Sequence, residues 1–181
     1  MKIAIGFKYY EGPYGGGSRF NISLTQYLRS KGINVVHDLN HNDIDVILLT
    51  DPRAHSSLVS FGYLDIIKYL IKKKDTLVVQ RVNECDERKN TKTVNRQLFI
   101  GNQVCDCTVF IGSWLIQCFN KNKYNFSRPH IILNGADNSI FKNYDNKIKD
   151  SKIRMVTHHW SPNLMKGWDI YEYLDKILSS K

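Results

Sequence analysis

Nowhere in the 181 residues is there an unbroken apolar run of the roughly 18 residues that a bilayer-spanning helix needs. The opening segment, Met1 to Tyr10, also lacks the continuous apolar stretch of a secretory leader, so a cytoplasmic location is expected. Cysteine is sparse and irregular. Cys85, Cys105, Cys107 and Cys118 have none of the regular spacing of a disulfide scaffold, and a cytosolic chain keeps them reduced. No paired C-x-x-C or suitably spaced His accompanies Cys85, Cys105 and Cys107, and the adjacent His158 and His159 would point to opposite faces of a strand. No metal site is expected on those grounds. Tandem repeats and low-complexity tracts are also absent.

Acidic residues fall short of basic ones, 17 against 26, for a formal net charge of +9. That imbalance favours an acidic partner: a nucleotide diphosphate, an anionic lipid surface or nucleic acid. Much of the excess is Lys scattered among Asn, as at Lys121, Lys123, Lys147 and Lys149, which reads as solvated surface. No nucleic-acid reader motif accompanies the charge and the aromatics Tyr9 and Tyr10, so nucleic acid is not the expected partner. Peripheral contact with an anionic membrane is compatible with the basic surface, but no amphipathic anchor is apparent.

The sequence does contain a repeated alternation of short apolar runs with helical patterns. Lys2 to Phe7 reads as a strand, broken by the glycines of Gly12 to Gly17 before a helix with Ser18 as N-cap and Phe20, Leu24, Tyr27 and Leu28 on one face. Gly32 ends that helix as a left-handed residue, and Ile33 to His37 is the second strand. Asp45 to Thr50, Thr76 to Val82, Cys107 to Ile111 and His130 to Leu133 are further strands. Between them Leu58, Phe61, Leu64, Ile67 and Ile71 mark one helix face, Val94, Leu98, Gly101 and Cys105 another, and Trp114, Leu115, Cys118 and Phe119 a third. The fold class is therefore α/β: a doubly wound, mostly parallel sheet with helices on both faces.

Asn143 to Lys152 is polar and has no sustained apolar pattern. The expected organisation is a Rossmann-like domain over 1–142, a linker over 143–152, and over 153–181 the first strand (Arg154 to His158) and helix (Ile170, Tyr171, Leu174, Ile177 and Leu178) of a second domain. One strand and one helix cannot bury a core alone. They require the first domain, a partner chain, or the remainder of a longer protein.

In such sheets ligands bind beyond the carboxyl ends of the strands. Five loops there carry unusual polar sequence: Gly15-Gly16-Gly17-Ser18, Asp51-Pro52-Arg53, Arg81-Val82-Asn83-Glu84, Gly112-Ser113 and Asn134-Gly135. The glycine loop lets backbone N–H groups approach an anion or a sugar. It lacks the lysine of an ATPase phosphate loop and the spacing of a dinucleotide fingerprint, although Asp38 lies where a ribose-binding acid would stand. Gly112-Ser113-Trp114 is not a nucleophile elbow, and Ser113 reads as a helix N-cap. Asn134-Gly135 is a turn dipeptide that favours positive φ at Gly135. The charged segment Glu84 to Lys89 reads as an exposed loop, with Arg81 and Asn83 able to enter the cleft.

Together GPYGGGSRF, QRVNECDERK, HIILNGADNSIF and THHWSPNLMKGWDIY resemble segments of the family-four retaining glycosyltransferases of GT-B fold, over nearly the whole chain. The resemblance implies an N-terminal Rossmann-like domain that mainly holds the acceptor and a second that holds most of a nucleotide-sugar donor. Sugar would move with retention to an acceptor hydroxyl of a glycan or glycolipid, with no obligatory cofactor or metal. It further implies that Gly15, Gly16 and Gly17 approach the donor phosphates or the transferred sugar. Asn134, Gly135 and Asp137 match the motif before the interdomain crossing, and Lys166-Gly167 match a pair whose lysine contacts the donor diphosphate. Ser18, Arg81, Asn83 and Ser113 complete the candidate cleft. Two features of the family have no counterpart here. Gln80-Arg81-Val82-Asn83 holds no His after the fourth strand, and no two of Glu11, Glu84, Glu87 and Glu172 show the family's eight-residue Glu spacing. The catalytic residues therefore stay unassigned.

Overall fold

The computed structural model describes residues 1–8, 15–53, 58–138, 140–142, 155–156 and 164–179. The chain forms two compact units, Met1–Asn134 and Gly135–Lys181. The first holds six strands, β1 (Lys2–Ile5), β2 (Asn34–Val36), β3 (Val46–Leu49), β4 (Leu77–Val82), β5 (Cys107–Phe110) and β6 (Pro129–Ile131), and five helices, α1 (Gly15–Ser30), α2 (Tyr63–Lys72), α3 (Asp86–Lys89), α4 (Val94–Asn102) and α5 (Ser113–Lys121). The second contributes α6 (Trp168–Ser179), preceded by a single 3-10 turn, Leu164–Lys166.

All six strands pair in parallel, in the order β2-β1-β3-β4-β5-β6. This is a Rossmann-like parallel α/β sheet, as the alternation of elements predicts. The order reverses between β1 and β3, where the chain switches from one side of β1 to the other. On one face Ile5, Phe7 and Val35 pack with Ile22, Leu24 and Leu28 of α1. The opposite face carries two clusters. Ala4, Ile47, Leu49 and Val78 pack with Ile66 and Tyr69 of α2, and Val82 and Phe110 pack with Leu98 of α4 and Leu115 and Phe119 of α5.

Helix faces depart from simple apolar periodicity. α1 turns Ser18, Asn21 and Thr25 inward and leaves Tyr27 60% exposed. α2 buries Ile66 and Tyr69, while Leu64, Ile67 and Ile71 point outward. Two caps also differ from expectation. α1 starts at Gly15, three residues before Ser18, because Gly15 takes φ of 82° and launches the helix itself. α5 is capped by Gly112, with Ser113 its first residue. Gly32 does take the expected left-handed φ, at 75°, and its N–H donates to Arg29 O at 3.0 Å. Gly135 is not among the positive-φ glycines; 132–137 runs without a turn as the chain leaves the first unit. The expected strand Arg154 to His158 lies mostly outside the described residues, and Met155 and Val156 belong to no strand. The expected linker lies outside them as well. α6 has no buried residue. No described helix is long and apolar enough to cross a membrane.

A buried polar hub ties α4 and β6 to the sheet. Asn102 Nδ2 donates to Gln80 Oε1 and Thr108 Oγ1, both at 2.7 Å, and Asn102 Oδ1 accepts from Ser127 N at 2.8 Å. Gln80 Nε2 donates in turn to Leu98 O at 3.0 Å. One residue earlier, a Cβ on Gly101 would lie 2.4 Å from Pro52 Cβ, so only glycine lets α4 meet the loop after β3. Replacing Asn102 by Ala strands Gln80, Thr108 and the Ser127 N–H together, at roughly 1–3 kcal/mol for each unsatisfied group and less than additively. Asn102→Ala should therefore lower unfolding stability by about 2–4 kcal/mol in urea titration. A loss below about 0.5 kcal/mol, the size of an ordinary surface substitution, would remove the hub from this account.

Candidate functional site

Parallel pairing sends the segment after every strand to one rim. At the switch point Gly6 N donates to Leu48 O at 3.0 Å, Thr50 Oγ1 to Gly6 O at 2.8 Å, and Lys8 N to Leu58 O at 2.9 Å. These bonds hold the loops after β1 and β3 together. Above them begins α1. Among the described residues a Cβ on Gly16 or Gly17 would meet nothing within 4 Å, so no crowding from them requires glycine at either position. The first-turn N–H groups have no intrahelical partner and carry the positive end of the helix dipole. Ser18 is 4% exposed, and its Oγ has no hydrogen-bond partner among the described residues.

Arg81, near the end of β4, reaches toward α1. Its guanidinium carbon lies 3.7 Å from the centre of the Phe20 ring, and Nη2 donates to Asn134 Oδ1 at 3.1 Å. The residue is 7% exposed, and no carboxylate pairs with it among the described residues. Burial lowers its pKa to about 10, which still leaves it charged at neutral pH. Among the described residues one donor finds a partner, of the five that a guanidinium carries. A buried cation in this condition attracts an anion.

Arg53 is the opposite case. Its Nε and Nη2 each donate to Asp51 at 2.7 Å, and Nη2 also meets Glu84 Oε1 at 2.6 Å. Lys89 Nζ bonds the other oxygen of Glu84. The hydrogen bond to Asp51, opposed by burial and reinforced by the charge of Glu84, holds the Arg53 pKa well above its ordinary value. This is a satisfied ion-pair cluster that braces the loop after β3 against the loop after β4.

The structure thus joins Arg81 and Asn134 directly, from loops 53 residues apart, and sets both beside the α1 turn that follows Gly15, Gly16, Gly17 and Ser18. Asn83 is half-buried and its carbonyl accepts from Arg88, while Ser113 is exposed at the start of α5. No contact draws either side chain to Arg81. Gly135 and Asp137 are exposed and belong to the second unit, as do Lys166, exposed in the 3-10 turn, and Gly167, at φ of 84° before α6. Asp38 is exposed and accepts from Asn40 N at 2.8 Å. Phe20 and His37 were not among the expected site residues, and Glu84, expected in an exposed loop running to Lys89, is instead 8% exposed, with Asp86–Lys89 helical after it. Position alone was a signal for His37 and Glu84, which follow β2 and β4 on the rim. A cavity lined by Phe110, Phe119, Tyr124 and Phe126 has no charged wall.

Comparison of the chain with protein-family models, curated proteins and solved structures returns no match.

His37 supplies a pH test. Its Nδ1 lies 3.4 Å from Ile5 O, and its Nε2 is buried with no partner among the described residues. Burial lowers its pKa from 6.5; Arg29 also lowers it, while Ile5 O and Asp38 oppose the shift. The unfolded chain therefore takes up this proton first as pH falls. The stability contribution is complete above about 6.5, declines below it, and levels off beneath the folded-state pKa. In His37→Phe this segment of the stability–pH curve should flatten. An unchanged slope in the variant would assign the pH dependence to another group.

Proposed function

We propose that this chain is the acceptor-side domain, with the start of the donor-side domain, of a retaining glycosyltransferase that moves a sugar from a nucleotide-sugar to an acceptor hydroxyl. One observation carries the reading: Arg81 is a buried cation with no carboxylate partner among the described residues, stacked on Phe20 of the helix that opens with Gly15, on the rim where parallel sheets bind ligands. A sugar diphosphate supplies the missing charge. Its oxygens suit both a guanidinium and the N–H groups of a helix start.

In this reading Gly15, Gly16 and Gly17 receive the phosphates or the transferred sugar. Arg81 supplies charge, Asn134 orients it, and Ser18 offers a hydroxyl that has no partner among the described residues. The family pattern assigns Asn83 and Ser113 of the first unit and Gly135 and Asp137 of the second to the acceptor side, and gives Lys166-Gly167 the role of offsetting charge on a leaving diphosphate. The reaction uses no obligatory metal or cofactor, the acceptor is a glycan or glycolipid, and the enzyme works in the cytoplasm. A second reading, a non-catalytic glycan- or nucleotide-binding module, is favoured by an α6 that buries no residue.

Calorimetric titration with a panel of nucleotide-sugars, paired with an assay for released nucleoside diphosphate, separates the two. Binding with turnover supports the transferase, and binding without turnover supports the module. Arg81→Gln should weaken binding by about tenfold or more, as expected for losing a charge-assisted bond of roughly 1.5–3 kcal/mol. Its urea midpoint should hold or rise, because a desolvated charge has been removed. Equal affinity in the variant and the parent would sink the assignment of Arg81 to the ligand.

A further inference from the structure

We propose that Cys85, Glu87 and Cys118 form a binding site for a zinc-class divalent cation, with a fourth position open to solvent. The two sulfurs and one carboxylate oxygen lie within 4.8 Å of one another. A tetrahedral zinc centre, with Zn–S near 2.3 Å and Zn–O near 2.0–2.2 Å, spaces its ligands roughly 3.5–3.8 Å apart. Side-chain shifts of about 1 Å close the difference, within the reach of ordinary rotamer adjustment.

The ligands come from two elements that the fold already fixes. Cys85 is fully buried at the start of α3, and Cys118 is half-buried on α5. Asp86 anchors the loop between them and α4. Its carboxylate accepts from Thr91 Oγ1 at 2.6 Å, Val94 N at 2.9 Å and Asn95 N at 3.1 Å, while its own N–H donates to Asn95 Oδ1 at 2.9 Å. Asn95 Nδ2 then donates to Glu87 Oε2 at 3.2 Å, and Asn122 Nδ2 to Glu87 Oε1 at 3.0 Å and Cys118 O at 2.9 Å. Amides that orient a carboxylate in this way act as do the outer partners of metal ligands.

Two thiolates with one carboxylate select zinc or a similar borderline-soft ion over magnesium or calcium. Glu87 is exposed while Cys85 is buried, which gives the ion an entry path from solvent and leaves room for water as the fourth ligand. Binding displaces two thiol protons to solvent. The resulting centre clamps the loop after β4 to α5.

The test uses the full chain, reduced and stripped of metal with a chelator, then titrated with Co2+. A thiolate-to-cobalt charge-transfer band should saturate at one equivalent and be bleached by Zn2+. In parallel, Zn2+ should slow alkylation of Cys85 and Cys118 but leave that of Cys107 unchanged, as read by peptide mass mapping. Cys118→Ser should abolish saturation at one equivalent, and the exposed Glu87→Gln should weaken binding roughly tenfold while keeping the band. The proposal is overturned by an absent band, by Zn2+ failing to protect Cys118, or by an undiminished band in Cys118→Ser. Recovery of a Cys85–Cys118 disulfide that forms in air despite added Zn2+ would likewise overturn it, assigning the pair to redox chemistry instead.

Discussion

Parallel neighbours in a sheet cannot be joined by a tight turn, so every strand must be followed by a crossover before the next begins. Here six strands running in one direction are joined by five such crossovers, which collects the post-strand loops on a single rim. The strand order then opens a crevice at β1 and β3, because the chain leaves β1 toward β2 on one side and arrives at β3 on the other. The rest of the first unit fixes what stands at that crevice. Pro52 on Gly101 seats the loop after β3 against α4, and the Asn102 hub locks α4, β4 and β5 into one register.

Two arginines on the rim show how differently the fold treats charge. Arg53 is enclosed by Asp51 and Glu84 in a cluster whose charges compensate one another, and it serves as a brace. Arg81 is more deeply buried yet among the described residues has one amide oxygen and one aromatic face as polar and ring partners. Phe20 repays part of its desolvation through cation–π attraction, worth about 2 kcal/mol where water is excluded. That falls short of the several kcal/mol an ion loses on leaving water. Ser18 Oγ and His37 Nε2, buried with no partner among the described residues, add polar capacity on the same rim. Unmet hydrogen-bonding capacity of this kind is costly to folding and useful to a ligand.

The strands were legible because buried parallel strands are short apolar runs bounded by turn residues, as DVILLT and CTVFI are; the observed β3 and β5 fall inside those runs. Helix faces were less so. Apolarity marked Tyr27, Leu64, Ile67 and Ile71 as inward, but the sheet took the face of α1 bearing Ser18, Asn21 and Thr25 and the face of α2 bearing Ile66 and Tyr69. With apolar residues around more than one side of a helix, periodicity leaves its rotation open and tertiary contacts decide it. At the site, Arg81 and Asn134 could each be named from their place after a strand. Their hydrogen bond across 53 residues, the stacking on Phe20 and the orphaned His37 nitrogen depend on which strands become neighbours, and that order is not written in any local spacing. Cysteine spacing was silent for the same reason: Cys85 and Cys118, which the fold brings to Glu87, lie far apart in sequence.

The segment from Asn83 to Asn95 links the rim to the cysteine cluster. Glu84 faces the rim and completes the Arg53 brace, while Cys85 and Glu87, the first and third residues after it, turn toward α5. Between them Asp86 has its hydrogen bonds committed to the start of α4. A turn this short and this heavily bonded transmits displacement instead of absorbing it, because its backbone has few torsions free to adjust. The proposed cation site and the brace that holds the loop after β3 therefore share one short turn, with Glu84 on one side of it and Cys85 and Glu87 on the other.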